Sequence, residues 1–339
     1  EQLCEFLKSL SKEKAFLFSE KKAAVQQEKY SMEAEQEKGI VLKNISYQYK
    51  KRSADEEKYA LKNVSLSIEP GEFVAIVGKT GSGKSTLIQH LNGLLQPQTG
   101  EYLFEGKDIW SKKYDLKNLR QKVALCFQYP EYQLFEENVL KDISFGPKNL
   151  GFDKKKCEEK ARYAMRLVGL SAKYEKASPF SLSGGQKRRV ALAGILAMEP
   201  EYLILDEPVA GLDAPGKRML FELLHHLNKE KGITIVLVSH NMDDVASHAD
   251  RVLIMEEGTL KIDGATREIF ARKDELKAMG LGIPQTVDFY LKLRKKQMPK
   301  GIDSNRQTYQ TGNFIPLTIE ELTEYIRCEM TSTSTGGSK

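Results

Sequence analysis

Between the apolar run Phe73 to Val77 and the helix-permissive stretch Lys84 to Leu95 lies Gly78-Lys79-Thr80-Gly81-Ser82-Gly83-Lys84-Ser85. This segment fits GxxxxGK[ST], and its position between a strand and a helix is the one its mechanism needs. The glycines let the backbone curl until its amides point inward, and the following helix presents its positive end to whatever the loop encloses. Such a loop cradles the phosphates of a nucleotide. Lys84 is placed to reach the β- and γ-phosphates, the Ser85 hydroxyl to ligate Mg²⁺, and Thr86 to join the same contacts from the first turn of the helix. A strand, a glycine loop and a helix in succession predict an α/β fold.

The rest of the chain supplies the other parts of such a fold. Ile40-Val41-Leu42, Ile45 to Tyr49 and Leu61 to Ile68 are short β-rich runs separated by a charged loop, Lys50 to Lys58, which predicts a small antiparallel sheet. Tyr202 to Leu205 and Ile233 to Val238 are apolar on both faces, as strands buried in a mostly parallel sheet are. Leu134 to Ser178 carries helical periodicity with breaks at Gly146-Pro147 and Gly151, and reads as a helical insertion. The boundaries expected are a charged, helical or disordered extension over 1–38, a nucleotide-binding domain over 39–270 with a helical subdomain over about 134–180, a helical C-terminal extension over 271–330, and a disordered Ser/Thr/Gly tail from Thr331. In the extension, helices are expected over Thr286 to Lys296 and Thr318 to Arg327. Met32 precedes the first convincing strand and is one possible native start.

Composition narrows the class. Across 339 residues, 40% hydrophobic and 29% charged content is that of a folded globular protein. No run approaches the ~18 apolar residues of a membrane-spanning helix. A net charge of +5 is small and interleaved with acidic residues, which argues against nucleic acid as a partner. The runs Lys154 to Lys156 and Arg294 to Lys296 read as solvated surface, with anionic lipid headgroups as the other reading. Cys4, Cys126, Cys157 and Cys328 form no CxxC pair, so neither a disulfide framework nor a zinc site is expected.

At the end of the second buried strand, Leu203-Ile204-Leu205-Asp206-Glu207 places two adjacent carboxylates beside the phosphate loop if both strands share one sheet. Asp206 is the expected Mg²⁺ partner. Glu207 is the expected general base that polarises the attacking water.

Upstream, Ser181-Leu182-Ser183-Gly184-Gly185-Gln186 precedes a helix expected to start near Lys187, and with it the chain resembles the ABC transporter ATPases over roughly Ile40 to Phe270. The resemblance implies a P-loop ATPase of the ABC type that binds ATP with Mg²⁺ and works as a head-to-tail dimer. Ser183, Gly184, Gly185 and Gln186 would contact the nucleotide held by the opposite subunit. Tyr49 would stack on adenine, with Tyr47 a competing candidate. Gln128 would sense Mg²⁺ and the attacking water, His240 would contact the γ-phosphate, and Ala210-Gly211-Leu212-Asp213 would be the dimer-contact loop, so Asp213 joins the residues acting across the dimer.

Within that family, Phe127-Gln128-Tyr129-Pro130-Glu131-Tyr132-Gln133-Leu134-Phe135-Glu136, Phe145-Gly146-Pro147-Lys148-Asn149 and Ser178-Pro179-Phe180 look like the energy-coupling factor transporter ATPases, most like the second of their two paralogous subunits. This implies a paralogous ATPase subunit, a transmembrane coupling protein and substrate-binding membrane proteins as partners, and a peripheral place on the cytoplasmic face of the cell membrane. Tyr129, Tyr132, Leu134 and Phe135 are the candidates for a groove that grips a helix of the coupling protein. Two positions depart from the family pattern: Val209 where a small hydroxyl residue is common, and Ala214 where proline is usual.

Overall fold

A computed structural model describes residues 39–49, 59–297 and 315–335. The expected N-terminal extension and the charged loop after Tyr49 lie outside these residues. Strand β1 (Ile40–Tyr47) is followed by β2 (Leu61–Ile68), β3 (Phe73–Val77), helix α1 (Lys84–Leu91), β4 (Thr99–Phe104) and β5 (Lys107–Asp108). Next come α2 (Leu116–Lys122), β6 (Val123–Cys126), α3 (Val139–Leu150), α4 (Lys154–Leu167), α5 (Gly184–Leu196), β7 (Tyr202–Asp206) and α6 (Ala214–Lys231). The chain continues through β8 (Thr234–Val238), α7 (Met242–His248), β9 (Arg251–Glu256), β10 (Thr259–Ala265), α8 (Thr266–Ala271), α9 (Lys273–Ala278), α10 (Gln285–Gln297) and α11 (Ile319–Thr335).

Two sheets result. An antiparallel sheet runs in the order β2-β1-β4-β5, and a six-stranded sheet runs β10-β9-β3-β8-β7-β6, parallel throughout except where β10 turns back on β9. Alternation along each buried strand divides its side chains between two cores. Phe73, Ala75, Leu203, Leu205, Ile235 and Leu237 face one core, which they share with α3 to α7. Val74, Ile76, Ile204, Val236 and Val238 face the other, shared with α1 and the antiparallel sheet. The central sheet is therefore covered on both faces, which explains why its strands read as unbroken apolar runs.

Several boundaries differ from the sequence reading, each for a local reason. The run at 40–42 and the first part of the run at 45–49 form one strand ending at Tyr47, with register shifts around Asn44, whose left-handed φ of 53° absorbs the irregularity. Helix α1 stops at Leu91, where Asn92 caps it and Gly93 turns the chain at φ 66°. The helix after the Ser-Gly-Gly-Gln segment starts at Gly184 rather than near Lys187, because Ser183 is its N-cap. Helix α11 runs through Thr335, past Thr331 where the tail was expected to become disordered. The C-terminal segments pack on the larger core through Leu276, Val287, Tyr290, Ile315 and Leu317. Arg267 pairs with Glu321 at 2.8 Å and ties α8 to α11.

Candidate active site

All four loops that carry the expected catalytic and phosphate-binding groups leave the carboxyl ends of parallel strands. Gly78 follows β3, Gln128 lies two residues past β6, Glu207 follows β7 and His240 lies two residues past β8. Register brings these ends level: Cys126 pairs with Leu205, Asp206 with Val238, and Ile76 with Val238. Ligand sites of open α/β sheets form at this edge.

The phosphate loop is pinned by close backbone approach. A Cβ on Gly78 would stand 2.3 Å from the Met255 carbonyl, and one on Gly83 would stand 2.5 Å from the Ala60 carbonyl at a φ of +102°. Only glycine fits either place. Inside the loop the buried Lys84 ammonium donates to the Gly78 carbonyl at 2.7 Å and to the Lys79 carbonyl at 2.9 Å. Burial lowers the Lys84 pKa, opposed by the carboxylates of Glu207 and Asp206. The lysine thus sits desolvated, with weak carbonyl partners, where a triphosphate would give it anionic ones.

Ser85 and Asp206 meet at 3.5 Å across the edge of the sheet. Burial raises the Asp206 pKa, and the adjoining Glu207 raises it further, against the pull of Lys84 and Ser85. A carboxylate made uncomfortable by burial and a like charge is relieved by a cation. Mg²⁺ is commonly held by one or two protein ligands together with the phosphates of its nucleotide, so Ser85 and Asp206 fit it. Among the described residues there is no group of three or more His, Cys, Asp or Glu that would hold a metal alone.

Glu207 is held from two sides. His240 Nδ1 lies 3.2 Å from one carboxylate oxygen, and Gln128 donates to the other at 3.3 Å. The backbone at Glu207 is left-handed, φ 47°, and its N–H donates to the Val238 carbonyl at 3.0 Å. A non-glycine residue in this region stores strain, a feature that clusters at functional sites. The turn aims the carboxylate away from the sheet edge, between Gln128 and His240, where a water could be polarised.

Tyr49 is 52% exposed, and its hydroxyl lies 3.3 Å from that of the buried Thr86 in α1. Tyr47 instead packs edge-on against the buried His90 at 4.9 Å. The two tyrosine rings also meet edge-to-face at 5.0 Å, with Tyr49 the more exposed of the pair.

The Ser183 segment forms a separate structure. The Ser183 hydroxyl accepts from the Gln186 N–H at 3.4 Å while the Gln186 side chain accepts from the Ser183 N–H at 3.0 Å, a capping box that leaves the first turn of α5 facing solvent. Gln186 also donates to the Tyr174 hydroxyl at 2.9 Å. Among the described residues, no hydrogen bond joins Ser183, Gly184, Gly185 or Gln186 to the phosphate loop. Asp213 likewise faces its own helix, capping α6 by accepting from Gly216 at 2.9 Å.

Sequence reading missed Arg188. Its side chain is buried, pairs with Glu131 at 3.2 Å and donates to the Ala210 carbonyl at 2.8 Å, linking the segment after Gln128 to the loop before Asp213. Its spacing from the buried Leu192 and Leu196 on one face of α5 was the available signal. Leu134, a candidate for the groove that grips a helix of the coupling protein, is buried in the larger core. Tyr132 and Phe135 remain on the surface.

Residues 61–210 match the ABC transporter family profile. The chain is 48% identical over 259 residues, 76% of its length, to the energy-coupling factor transporter ATP-binding protein EcfA2 of Bacillus licheniformis, of which 89% is covered. This chain belongs to the ABC transporter family. EcfA2 of Symbiobacterium thermophilum is 51% identical, covering 76% of this chain and 88% of the relative, and that of Caldanaerobacter subterraneus is 46% identical over 85% and 96%. Among solved ABC transporter structures, cbiO1 from Clostridium perfringens, part of the complex cbiONQ, superposes with a TM-score of 0.63 at 35% identity, covering 76% of this chain and 99% of that one. The ATP-binding cassette MJ0796, a dimer bound to ADP and Pi, gives 0.59 at 29% identity over 67% and 99%.

Proposed function

We propose that this chain is the ATP-binding and ATP-hydrolysing subunit of an energy-coupling factor type importer. It would act on the cytoplasmic face of a membrane and power uptake of vitamins or metal ions. The similarity to the EcfA2 proteins, at 46–51% identity over most of their length, supports the transporter class. The observation that carries the chemistry is Glu207 held between Gln128 and His240 beside the desolvated Lys84.

In this reading the phosphate-loop amides and Lys84 bind the β- and γ-phosphates, and Tyr49 stacks on the adenine. Ser85, Asp206 and Gln128 would hold Mg²⁺, which would neutralise charge on the phosphates when bound. Glu207 accepts the proton of the attacking water, Gln128 orients that water, and His240 contacts the γ-phosphate and fixes the carboxylate. The solvent-facing turn at Ser183 to Gln186 completes the site of an opposite ATPase subunit, with its helix N-terminus directed at the γ-phosphate. Asp213 lies at the same contact between subunits.

The partners are a paralogous ATPase, a transmembrane coupling protein and separate substrate-binding membrane proteins. Among the described residues no helix is long and apolar enough to cross a membrane, so attachment would run through these partners. The exposed Tyr132 and Phe135 after Gln128 are the surface offered to the coupling protein. Coexpression with a paralogous ATPase and a neighbouring membrane protein, followed by affinity capture of this chain, tests the assignment. A stable three-protein complex with ATPase activity is expected. A homodimer that binds neither would overturn it.

A further inference from the structure

A cavity of about 240 Å³ is lined by Glu207 and His240 and extends past them to residues that the reaction above does not use. One wall is the turn after Glu207, through Val209, Ala210 and Leu212. The other is Ser239, His240 and Asn241. Its floor is an ion pair between Lys217 and Asp244.

The pair joins the first turns of two helices. Asp213 caps α6, and Lys217 N–H donates to its carbonyl at 2.9 Å. Asn241 caps α7, and its side chain accepts from Asp243 at 3.0 Å and from Asp244 at 3.4 Å. Each helix therefore begins at the end of a functional loop, one carrying Asp213 and the other His240, and Lys217 and Asp244 are what hold the two starts together across the cavity.

Two features mark this pair as more than packing. Asp244 is only 4% exposed, and one of its oxygens, Oδ2, is buried without a hydrogen-bond partner among the described residues. Half-satisfied buried charge is costly and two apolar side chains would fill the place more cheaply. Lys217 also sits at the positive end of α6, where a cation is disfavoured by the helix dipole, so local preference does not account for it. Residues that break a local rule concentrate at functional sites.

We propose that Lys217 and Asp244 are positioning residues for ATP hydrolysis. Their ion pair holds the loop bearing Asp213 in register with the loop bearing His240, and so keeps the imidazole in place against Glu207. This rests on the ATPase reading of the site. The pair touches no substrate; it acts through the two loops.

The full chain, assembled with its partner ATPase, tests this with Lys217→Gln, Lys217→Arg, Asp244→Asn and the double variant Lys217→Gln/Asp244→Asn. Binding of a fluorescent ATP analogue, steady-state turnover and melting temperature are measured for each. Lys217→Gln should lower kcat tenfold or more while leaving nucleotide affinity within about threefold, with every assay run below the melting temperature of all variants because a buried Asp244 left without its cation lowers stability. Lys217→Arg should restore kcat to within about threefold. The double variant should lose no more than the worse single variant, because the two groups form one device. Should Asp244→Asn fail to fold, the two Lys217 variants decide alone. Unchanged turnover in Lys217→Gln, a loss that tracks nucleotide affinity, or an arginine variant as impaired as the glutamine one would each overturn the proposal. An unsubstituted assembly that hydrolyses no ATP would instead overturn the ATPase reading and the inference with it.

Discussion

His240 Nδ1 and Glu207 Oε1 stand 3.2 Å apart, and Gln128 takes the other oxygen of the same carboxylate at 3.3 Å. A carboxylate fixed at both oxygens has one orientation, which is what proton acceptance from a placed water needs. Glu207→Gln keeps the shape and the contact to Gln128 but removes the basicity. ATP affinity should stay within a few-fold and kcat should fall by ~100-fold or more, the range of general-base effects. Single-turnover hydrolysis beside equilibrium nucleotide binding makes the comparison; near-normal turnover would refute Glu207 as the base.

Gly83 has a φ of +102° and faces the Ala60 carbonyl at a distance no side chain tolerates. Gly83→Ala should destabilise the fold by about 2–4 kcal/mol, combining backbone strain with steric displacement. Urea denaturation reads this as a lower midpoint at unchanged slope.

His248 stacks on Phe221 with ring centres 3.8 Å apart, and its Nδ1 is 2.9 Å from Nε2 of His225. Burial, then the neighbouring His225 and Lys217, pushes the His248 pKa down to about 4. Burial lowers that of His225 as well, with Lys229 adding to the shift and Asp250 opposing it. A histidine whose folded pKa lies below its unfolded value of about 6.5 takes up its proton first in the unfolded chain. The stability this pair contributes is therefore full above pH ~6.5 and is lost progressively as pH falls toward 4. Melting temperature should decline across that window, and His248→Gln should make the decline shallower. An equally steep profile in the variant would assign the acid sensitivity elsewhere.

Phe135 is 57% exposed and meets Phe145 edge-to-face at 4.8 Å, while its backbone N–H is fixed by Asp142 at 2.9 Å. The side chain is presented outward on a braced loop, so Phe135→Ala should change stability by no more than about 0.5 kcal/mol. If this is where a helix of the coupling protein docks, substrate taken up per ATP hydrolysed by the reconstituted transporter should fall tenfold or more, as loss of an aromatic anchor does at an interface. Full coupling in a folded variant would remove Phe135 from the docking surface.

The strand, phosphate loop and helix around Gly78 to Ser85 were legible because backbone geometry there admits so few residues. The apolar strands at Tyr202 and Thr234 were legible because both of their faces are buried. The separate fit of Ser183 was not: a capping serine and a glycine pair do not announce in sequence that the helix begins three residues early. Leu134 and Phe135 are adjacent and similar in character, yet one enters the core and the other faces solvent, a choice made by the loop before α3 and not by either residue. Arg188, Lys217 and Asp244 escaped notice for a related reason. Charged residues on helices are by default solvated, and only the helices packed beside them bury Arg188 and Asp244 and draw the part-exposed Lys217 onto Asp244.

The left-handed turn at Glu207 sets stability against use. A φ of 47° costs a β-carbon residue about 1 kcal/mol that glycine does not incur. Selection for heat resistance alone, blind to nucleotide turnover, would favour glycine or asparagine at 207 and would arrive at a sturdier protein without the carboxylate proposed as the base. Keeping glutamate there requires selection on the living task, and a library screened only for soluble expression will tend to lose it.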